Sequence, residues 1–456
     1  MPLSQALYDE LRRRPLKPSR GMRANLISGV LNWPHLVMVL LQRVLAFLQR
    51  LVDYGPFVFV NTRRDVIEVM ERDQDFPSGP VVGPAMVCGP FVLGTDRGAL
   101  RSADLELLWE AFYGVTDKPL PGGGTAGRTI AQPQNEALFA NIRTAVVGII
   151  AAAESRENGE LDLIQEVLRP VCVAIVQQHL GVGPPDDKWL KVLWEILETL
   201  ALRIILPDAV DLNNTEDPIS ADLVWAKSTL KTAINEAIDQ AIRAPGYNGT
   251  IVERMYAVLV RKAPELSRAE LRGTISRNVA GLAITACHPI AKAAAHAVDI
   301  MLSSETALDG ATAAAKMADE DLFWGFILEA LRFFPLFPLL TRACPHDTAI
   351  GHGALRKVRG GQAIQVGLLP AMFDAKAVPS PQQFRDDRPP EDSMVFGRGI
   401  HACFGFQFAR NVLVATLMPL FARGIVRAPG RDGRLRFDLL VPKSLTVKLL
   451  PANASA

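Results

Sequence analysis

The stretch "FGRGIHACFGFQFAR", residues 396–410, decides the reading of this chain. It sets Cys403 among Gly397, Gly399 and Gly405, with His401 two residues before the cysteine. The glycines free the backbone for a tight loop that can approach a flat ligand closely. Apolar residues at helical spacing follow at once, so the pattern predicts a cysteine at a helix N-terminus. Unpaired N–H groups and the helix dipole there favour the thiolate. A thiolate in such a loop suits a metal or a nucleophilic role.

Upstream, "FWGFILEALRFFP" (323–335) carries Glu329 and Arg332 on an otherwise apolar helix. The i, i+3 spacing puts both on one face. Charges in such a setting must satisfy each other, or burial is costly. Between this helix and the cysteine loop, "FRDDRPP" (384–390) supplies Arg388.

Together these residues resemble the cytochrome P-450 family. Its haem loop reads Phe-x-x-Gly-x-x-x-Cys-x-Gly, matched by Phe396, Gly399, Cys403 and Gly405. Its Glu-x-x-Arg helix is matched by Glu329 and Arg332, and its meander arginine by Arg388 within "MFDAKAVPSPQQFRDDRPP". The resemblance covers about residues 60 to 450. It implies a mainly α, triangular fold with a small β region, and haem b with Cys403 as the proximal iron ligand. A thiolate ligand pushes electron density onto the iron and favours O–O cleavage. By family position, His401 and Arg342 face the haem propionates, which need cationic or donor partners. Many bacterial relatives add a His-x-x-x-Arg pair after an "LGxD" turn. Here "LGTDRGALRSAD" (93–104) has Leu100 and Asp104 in those places, leaving Arg101 as the substitute. Arg398 faces either the haem edge or a redox partner.

A second stretch departs from the family. "AGLAITACHP" (280–289) lies in the longest helical pattern, "SRAELRGTISRNVAGLAITACHPIAKAAAHAVDIMLSS" (267–304), which opens with a capping box of Ser267 and Glu270. The centre is apolar nearly all round, so the helix is expected to cross the interior. The family keeps an acid–alcohol pair there to relay protons during dioxygen activation. In register those places hold Ala283 and Ile284; Thr285 follows one position on, and nothing nearby replaces the acid. His288-Pro289 then interrupts the pattern, since a proline inside a helix removes one hydrogen bond and costs about 3 kcal/mol.

Three readings stay open. Thr285 with ordered water serves an ordinary monooxygenase. Alternatively, His288 holds a carboxylate or acts as acid or base in a peroxygenase or a fatty-acid hydroperoxide isomerase or dehydratase. Or His288 bonds a helix carbonyl freed by Pro289. His296 and Cys287 read as packing residues. A haem-based sensor without turnover is the non-enzyme alternative.

The totals agree with a reducing cytoplasm. Five cysteines, Cys88, Cys172, Cys287, Cys344 and Cys403, show no CxxC, which argues against a disulfide framework or structural zinc. With 49 basic and 48 acidic residues the net charge is +1, so no nucleic-acid partner is expected. The N-terminus lacks a signal-peptide core, and the run Leu36–Leu41 ends at Gln42 and Arg43, so no transmembrane segment is expected.

Further helices are predicted over 61–76 with an asparagine cap, 138–154, 161–181, 187–206 and 221–244. Strands are predicted at 57–61, in "DTAIG" (347–351) and over 361–369, the last two separated by a Gly-rich turn. The glycine-rich 119–134 lacks the Lys-Ser/Thr ending of a P-loop and reads as a connector. One domain spans 1–456, with 1–55 as an N-terminal extension and first helix. No flavin or iron–sulfur segment is visible, so electrons are expected from a separate ferredoxin-type donor, docking near Arg398 and Arg410 by charge steering. A monomer and an apolar small-molecule substrate complete the expectation.

Overall fold

Residues Arg268–Met301 form one uninterrupted helix of 34 residues, and the rest of the chain is arranged around it. The computed structural model describes residues 57–78, 89–92, 95–114, 133–183, 192–200, 218–244, 249–351, 356–438 and 441–451. The N-terminal extension, the connector up to 132, Cys88 and the ends of the helix expected over 187–206 lie outside the described residues.

In chain order, β1 (Phe57–Val60) leads into α1 (Arg63–Glu71), then α2 (Ala99–Tyr113) and α3 (Pro133–Glu154). Strand β2 (Glu160–Asp162) precedes α4 (Arg169–Ala174), which is flanked by π-helical turns Leu163–Leu168 and Ile175–His179. A helical segment at 192–200 is followed by α5 (Pro218–Arg243), α6 (Ile251–Lys262), the long α7 (Arg268–Met301), α8 (Glu305–Lys316) and α9 (Glu320–Phe333). Strands β3 (Leu339–Ala343), β4 (Thr348–Ile350), β5 (Arg356–Val358) and β6 (Ala363–Gly367) come next. Helix α10 (Phe406–Arg423) and strands β7 (Ile425–Arg427), β8 (Arg436–Asp438), β9 (Val441–Ser444) and β10 (Thr446–Leu449) close the order. The architecture is mainly α with a small β region, as the sequence predicts.

Local chemistry sets the helix starts. Ser267 accepts from the Glu270 N–H while the Glu270 carboxylate accepts from the Ser267 N–H, and Thr250 with Glu253 repeats the device for α6. Each satisfies two donors that a helix start leaves unpaired, worth about 1 kcal/mol. Helix α1 is capped by Thr62, which accepts from Asp65, and not by the expected Asn61. The segment expected as helix from 161 begins instead as β2, because Leu161 pairs with Val447 of β10. The strands at 347–351 and 361–369 do not pair with each other. Strand β4 pairs with β5, whereas β6 lies between β1 and β3, parallel to β1 in the register Val58↔Ile364.

Two apolar cores result. The larger surrounds α7, packed by α3, α9 and α10 through residues such as Val146, Ile327 and Leu417. The smaller joins α1 to the β1–β6–β3 sheet through Val66, Val69, Ile364 and Val366. Each such buried side chain contributes about 1.5–3 kcal/mol. Helix α3 contains the one stretch, Asn135–Glu154, that among the described residues is long and apolar enough to cross a membrane; one face of it packs on α10.

Candidate active site

The Cys403 loop is closed by its own backbone and fixed by a glycine. The Cys403 N–H donates to the Phe396 carbonyl at 2.8 Å. Gly399 has φ +68°, and a Cβ there would stand 2.6 Å from the Met70 carbonyl of α1. Only glycine meets both demands, so the loop lies directly on α1. Phe396 packs edge-on against Phe406 with ring centroids 4.8 Å apart, which joins the start of the loop to the start of α10.

Among the four described cysteines, Cys172, Cys287 and Cys344 are buried and Cys403 alone is exposed. Protein atoms nonetheless crowd around it, so that open surface borders an enclosed space. Burial among protein atoms pushes its thiol up from 9.0 to about 11, against a smaller opposing pull from the Gly405 N–H. The lowered pKa expected from the sequence is therefore not found. Helix α10 begins at Phe406 with Gly405 as its cap, so Cys403 lies before the first turn, where the dipole acts weakly, and desolvation wins. A metal cation would reverse the balance, since a coordinating thiol is deprotonated outright.

Beside the loop, Arg101, Arg342 and His401 converge. Both arginines are buried. Burial, then Arg342 and Arg101, bring the His401 pKa down to about 4. Arg101 donates to the carbonyls of Val92, Thr95 and Ile400, the second at 2.8 Å, and so ties the start of α2 to the cysteine loop. Arg342 of β3 donates to its neighbour's carbonyl, Thr341, at 3.2 Å. The nearest acids are Asp96, 3.0 Å from His401 Nε2, and Asp73, which pairs with Arg97 at 2.6 Å. The Ser78 hydroxyl lies 2.9 Å from the same histidine nitrogen. Asp96 was not singled out from sequence, although it is the acid of the "LGTD" turn. Asp104 is buried and pairs with Arg277 at 2.6 Å, linking α2 to α7.

Glu329, Arg332 and Arg388 form one buried cluster. Arg332 grips Glu329 with two bonds of 2.8 and 2.9 Å, and Arg388 Nε reaches the same carboxylate at 2.9 Å. The remaining donors of both arginines go to carbonyls of Met372, Pro379, Pro381, Ser380 and Gln383. The cluster thus pins 372–388, the segment that leads into the cysteine loop. Arg398 pairs with Glu71 at 2.9 Å and Arg410 with Asp321, so each expected docking cation is locally neutralised.

Helix α7 continues without a break across Pro289. Thr285, Ala286 and Pro289 stay partly open along one face, while Ala283, Cys287, Ala291 and Ala294 on the other faces are fully buried. Gly281 holds the helix against Phe91: a Cβ there would stand 2.5 Å from the ring. The Thr285 hydroxyl donates to the Gly281 carbonyl at 2.7 Å. His288 is buried edge-on against Trp194, ring centroids 4.5 Å apart, and neither ring nitrogen has a good hydrogen-bond partner. It therefore does not fill the gap left by Pro289. Burial first, then Lys443, hold its pKa down to about 3, so the imidazole is uncharged at neutral pH. A carboxylate held there would have to recharge the ring against that burial. Among the described residues no hydrogen bond or ring contact links Thr285 or His288 to the Cys403 loop. His296 donates Nδ1–H to the Phe334 carbonyl at 2.9 Å and stacks on that ring.

Three features of this site fit a thiolate-ligated haem. The open surface of Cys403 offers a soft ligand, the glycine loop offers a close backbone approach, and two buried arginines stand beside a histidine.

Comparison with known proteins points to the same residues. The family model "Cytochrome P450" matches residues 321–440, which contain the Glu329 helix, Arg388 and the Cys403 loop. A steroid C26-monooxygenase of Mycolicibacterium smegmatis is 27% identical over 301 residues. That match covers 65% of this chain and 65% of the relative, so the chain spans just under two thirds of that relative's length. A bifunctional dioxygenase–epoxy alcohol synthase of Fusarium oxysporum is 30% identical over 128 residues, 27% of this chain and 10% of that protein. The crystal structure of CalO2 superposes with a TM-score of 0.66 at 19% identity, covering 86% of this chain and 91% of that one, which shows the fold. Sequence and fold agree, and the chain is similar to the cytochrome P450 family, whose model it matches over residues 321–440.

Proposed function

We propose that this chain is a single-domain, monomeric, cytoplasmic haem-thiolate monooxygenase that inserts one oxygen atom from dioxygen into an apolar organic molecule. The observation that carries the reading is Cys403, the one exposed cysteine among those described, on a loop that Gly399 seats on α1. The Mycolicibacterium relative's name, a steroid C26-monooxygenase, supports oxygen insertion.

Haem b, when bound, supplies dioxygen activation. The chain supplies the rest. Cys403 provides the thiolate ligand, and Phe396, Gly399 and Gly405 shape its loop. Arg101 and Arg342 neutralise the propionates, and the uncharged His401 offers them a hydrogen bond. Glu329, Arg332 and Arg388 hold the meander that positions the loop. The Thr285 hydroxyl donates to a helix carbonyl, so its free lone pairs can accept from an ordered water, which would hand protons on in place of the missing acid. The apolar faces of α7 exclude bulk water. Electrons come from a separate ferredoxin-type protein. Because Arg398 and Arg410 are already paired, docking uses the field of the whole face more than either cation.

A second reading is a peroxide-dependent enzyme or a hydroperoxide isomerase. The Fusarium match and the absence of a distal acid favour it. His288, uncharged and without a hydrogen-bond partner, does not.

The test uses purified, haem-loaded protein. The reduced carbonyl complex should show the red-shifted Soret band of thiolate ligation, and Cys403→Ala should abolish it; a band that survives in the variant ends the assignment. Product formed with dioxygen and an electron donor selects the monooxygenase. Product formed with peroxide or hydroperoxide alone selects the second reading.

A further inference from the structure

Helix α7 holds one charged residue between Asn278 and Val298, and that residue is Lys292. It is nine-tenths buried. Among the described residues no salt bridge or hydrogen bond engages it, and no carboxylate acts on it. A buried cation without a partner is unfavourable, and natural proteins keep one where something arrives to pair with it. Burial alone brings its pKa from 10.5 down to about 8. An arriving anion would favour the charged form again.

Its place on the helix gives that anion a location. Thr285, Pro289, Lys292 and His296 follow at spacings of four, three and four residues, one face of α7. Thr285 and Pro289 are the partly open positions of that face. Lys292 is also one turn from both His288 and His296. His288 feels Lys443 of β9, and His296 meets Phe437 of β8 at 5.7 Å between ring centroids, so the β8–β9 hairpin lies alongside this part of the helix. His296 adds a second orphan. Its Nδ1–H is committed to the Phe334 carbonyl, which leaves Nε2 as a buried acceptor with no partner. An ammonium has three donors, so one can turn to His296 while the others meet an anion.

A separate basic cavity lies on the other side of α7. Its volume is about 350 Å³, and it opens between α5 and the first half of α7, with Ala280 in its wall. Lys227, Lys231, Arg272 and Arg277 line it; the two arginines are balanced by Asp239 and Asp104.

We propose that Lys292 anchors the carboxylate of an apolar organic acid, whose hydrocarbon lies along α7 towards Thr285. The inference rests on the haem-thiolate reading for the chemistry and names the substrate class for it. Seven residues separate Lys292 from Thr285, about 10 Å along the helix axis. The oxidised carbon is therefore remote from the carboxylate, unlike the arrangement in which an acid is held beside the iron.

The experiment measures binding by calorimetry to the haem-loaded protein, with decanoate and deoxycholate each compared with its neutral analogue, decanol and methyl deoxycholate. Wild type should bind at least one acid tenfold or more tightly than its analogue. Lys292→Met should lose at least tenfold for that acid and nothing for the analogue, whereas Lys292→Arg should keep the preference. Lys292→Met should melt at or above the wild-type temperature, because it removes an uncompensated charge; if it loads haem poorly, Lys292→Gln gives the same reading with a polar side chain. Equal binding of acid and analogue by wild type, or equal losses of both in the variant, overturns the proposal. The carbonyl spectrum is recorded in parallel. A missing thiolate band refutes the haem-thiolate reading, while an acid preference that depends on Lys292 can still stand in the calorimeter.

Discussion

Arg388 Nε and Glu329 Oε1 lie 2.9 Å apart, although 59 residues separate them in the chain. The same oxygen accepts from the Arg385 N–H at 3.0 Å, and the carboxylate as a whole takes two bonds from Arg332. Glu329 is thus the one anion between two buried guanidinium groups, and Phe333 and Phe373 close over Arg332 at 4.6 and 4.4 Å.

Glu329→Gln should therefore be severe. It leaves two arginines in the interior without a counter-charge, and breaking a buried pair in this way costs about 3–5 kcal/mol. Denaturant melts should show that loss, and the haem content of the purified variant should fall with it because the meander is no longer pinned. A stable, fully loaded variant would show that the cluster does not support the loop.

Gly399→Ala tests the seat of the cysteine loop. The residue must hold a positive φ, and its new Cβ would meet the Met70 carbonyl at 2.6 Å. The strain is of the order of 1–3 kcal/mol. The expected result is a comparable fall in stability together with weaker haem retention, measured by transfer of haem to apomyoglobin.

His288 should make the protein acid-sensitive. Its folded pKa of about 3 lies below the ordinary 6.5, so the unfolded chain binds the extra proton between those values. The stability contribution is complete above pH 6.5 and is lost as pH falls towards 3. At pH 4.5 the loss from this one group is about 2–3 kcal/mol. His288→Phe keeps the packing on Trp194 and removes two unpaired nitrogens. It should be neutral or stabilising at pH 7, and the gap between its stability at pH 7 and pH 4.5 should be smaller than wild type. An unchanged gap would mean that His288 is not buried uncharged.

Thr285→Val separates proton delivery from folding. Its hydroxyl bonds only carbonyls of its own helix, so stability should change by less than about 1 kcal/mol. Product formed per electron consumed should drop about tenfold or more, the range expected on losing a proton-transfer group. Unchanged coupling would take Thr285 out of the proton path.

Some of this was legible in the sequence for a physical reason. The cysteine loop, the Glu-x-x-Arg helix and the Ser267–Glu270 capping box are local devices whose residues lie within a few positions of one another, so spacing alone specifies their geometry. The apolar continuity of 267–304 likewise determined a helix through the interior. Only the tertiary structure decided the rest. The parallel pairing of β1 with β6 joins residues some three hundred positions apart, and no local pattern encodes a partner at that range. The thiol of Cys403 goes up rather than down because packing around it, not its distance from a helix, sets its desolvation. His288 is uncharged because Trp194 covers it and Lys443 lies near. Lys292 shows both halves at once. Its seven-residue spacing from Thr285 was readable as one helix face, but that no carboxylate among the described residues meets it depends on every element packed against that face.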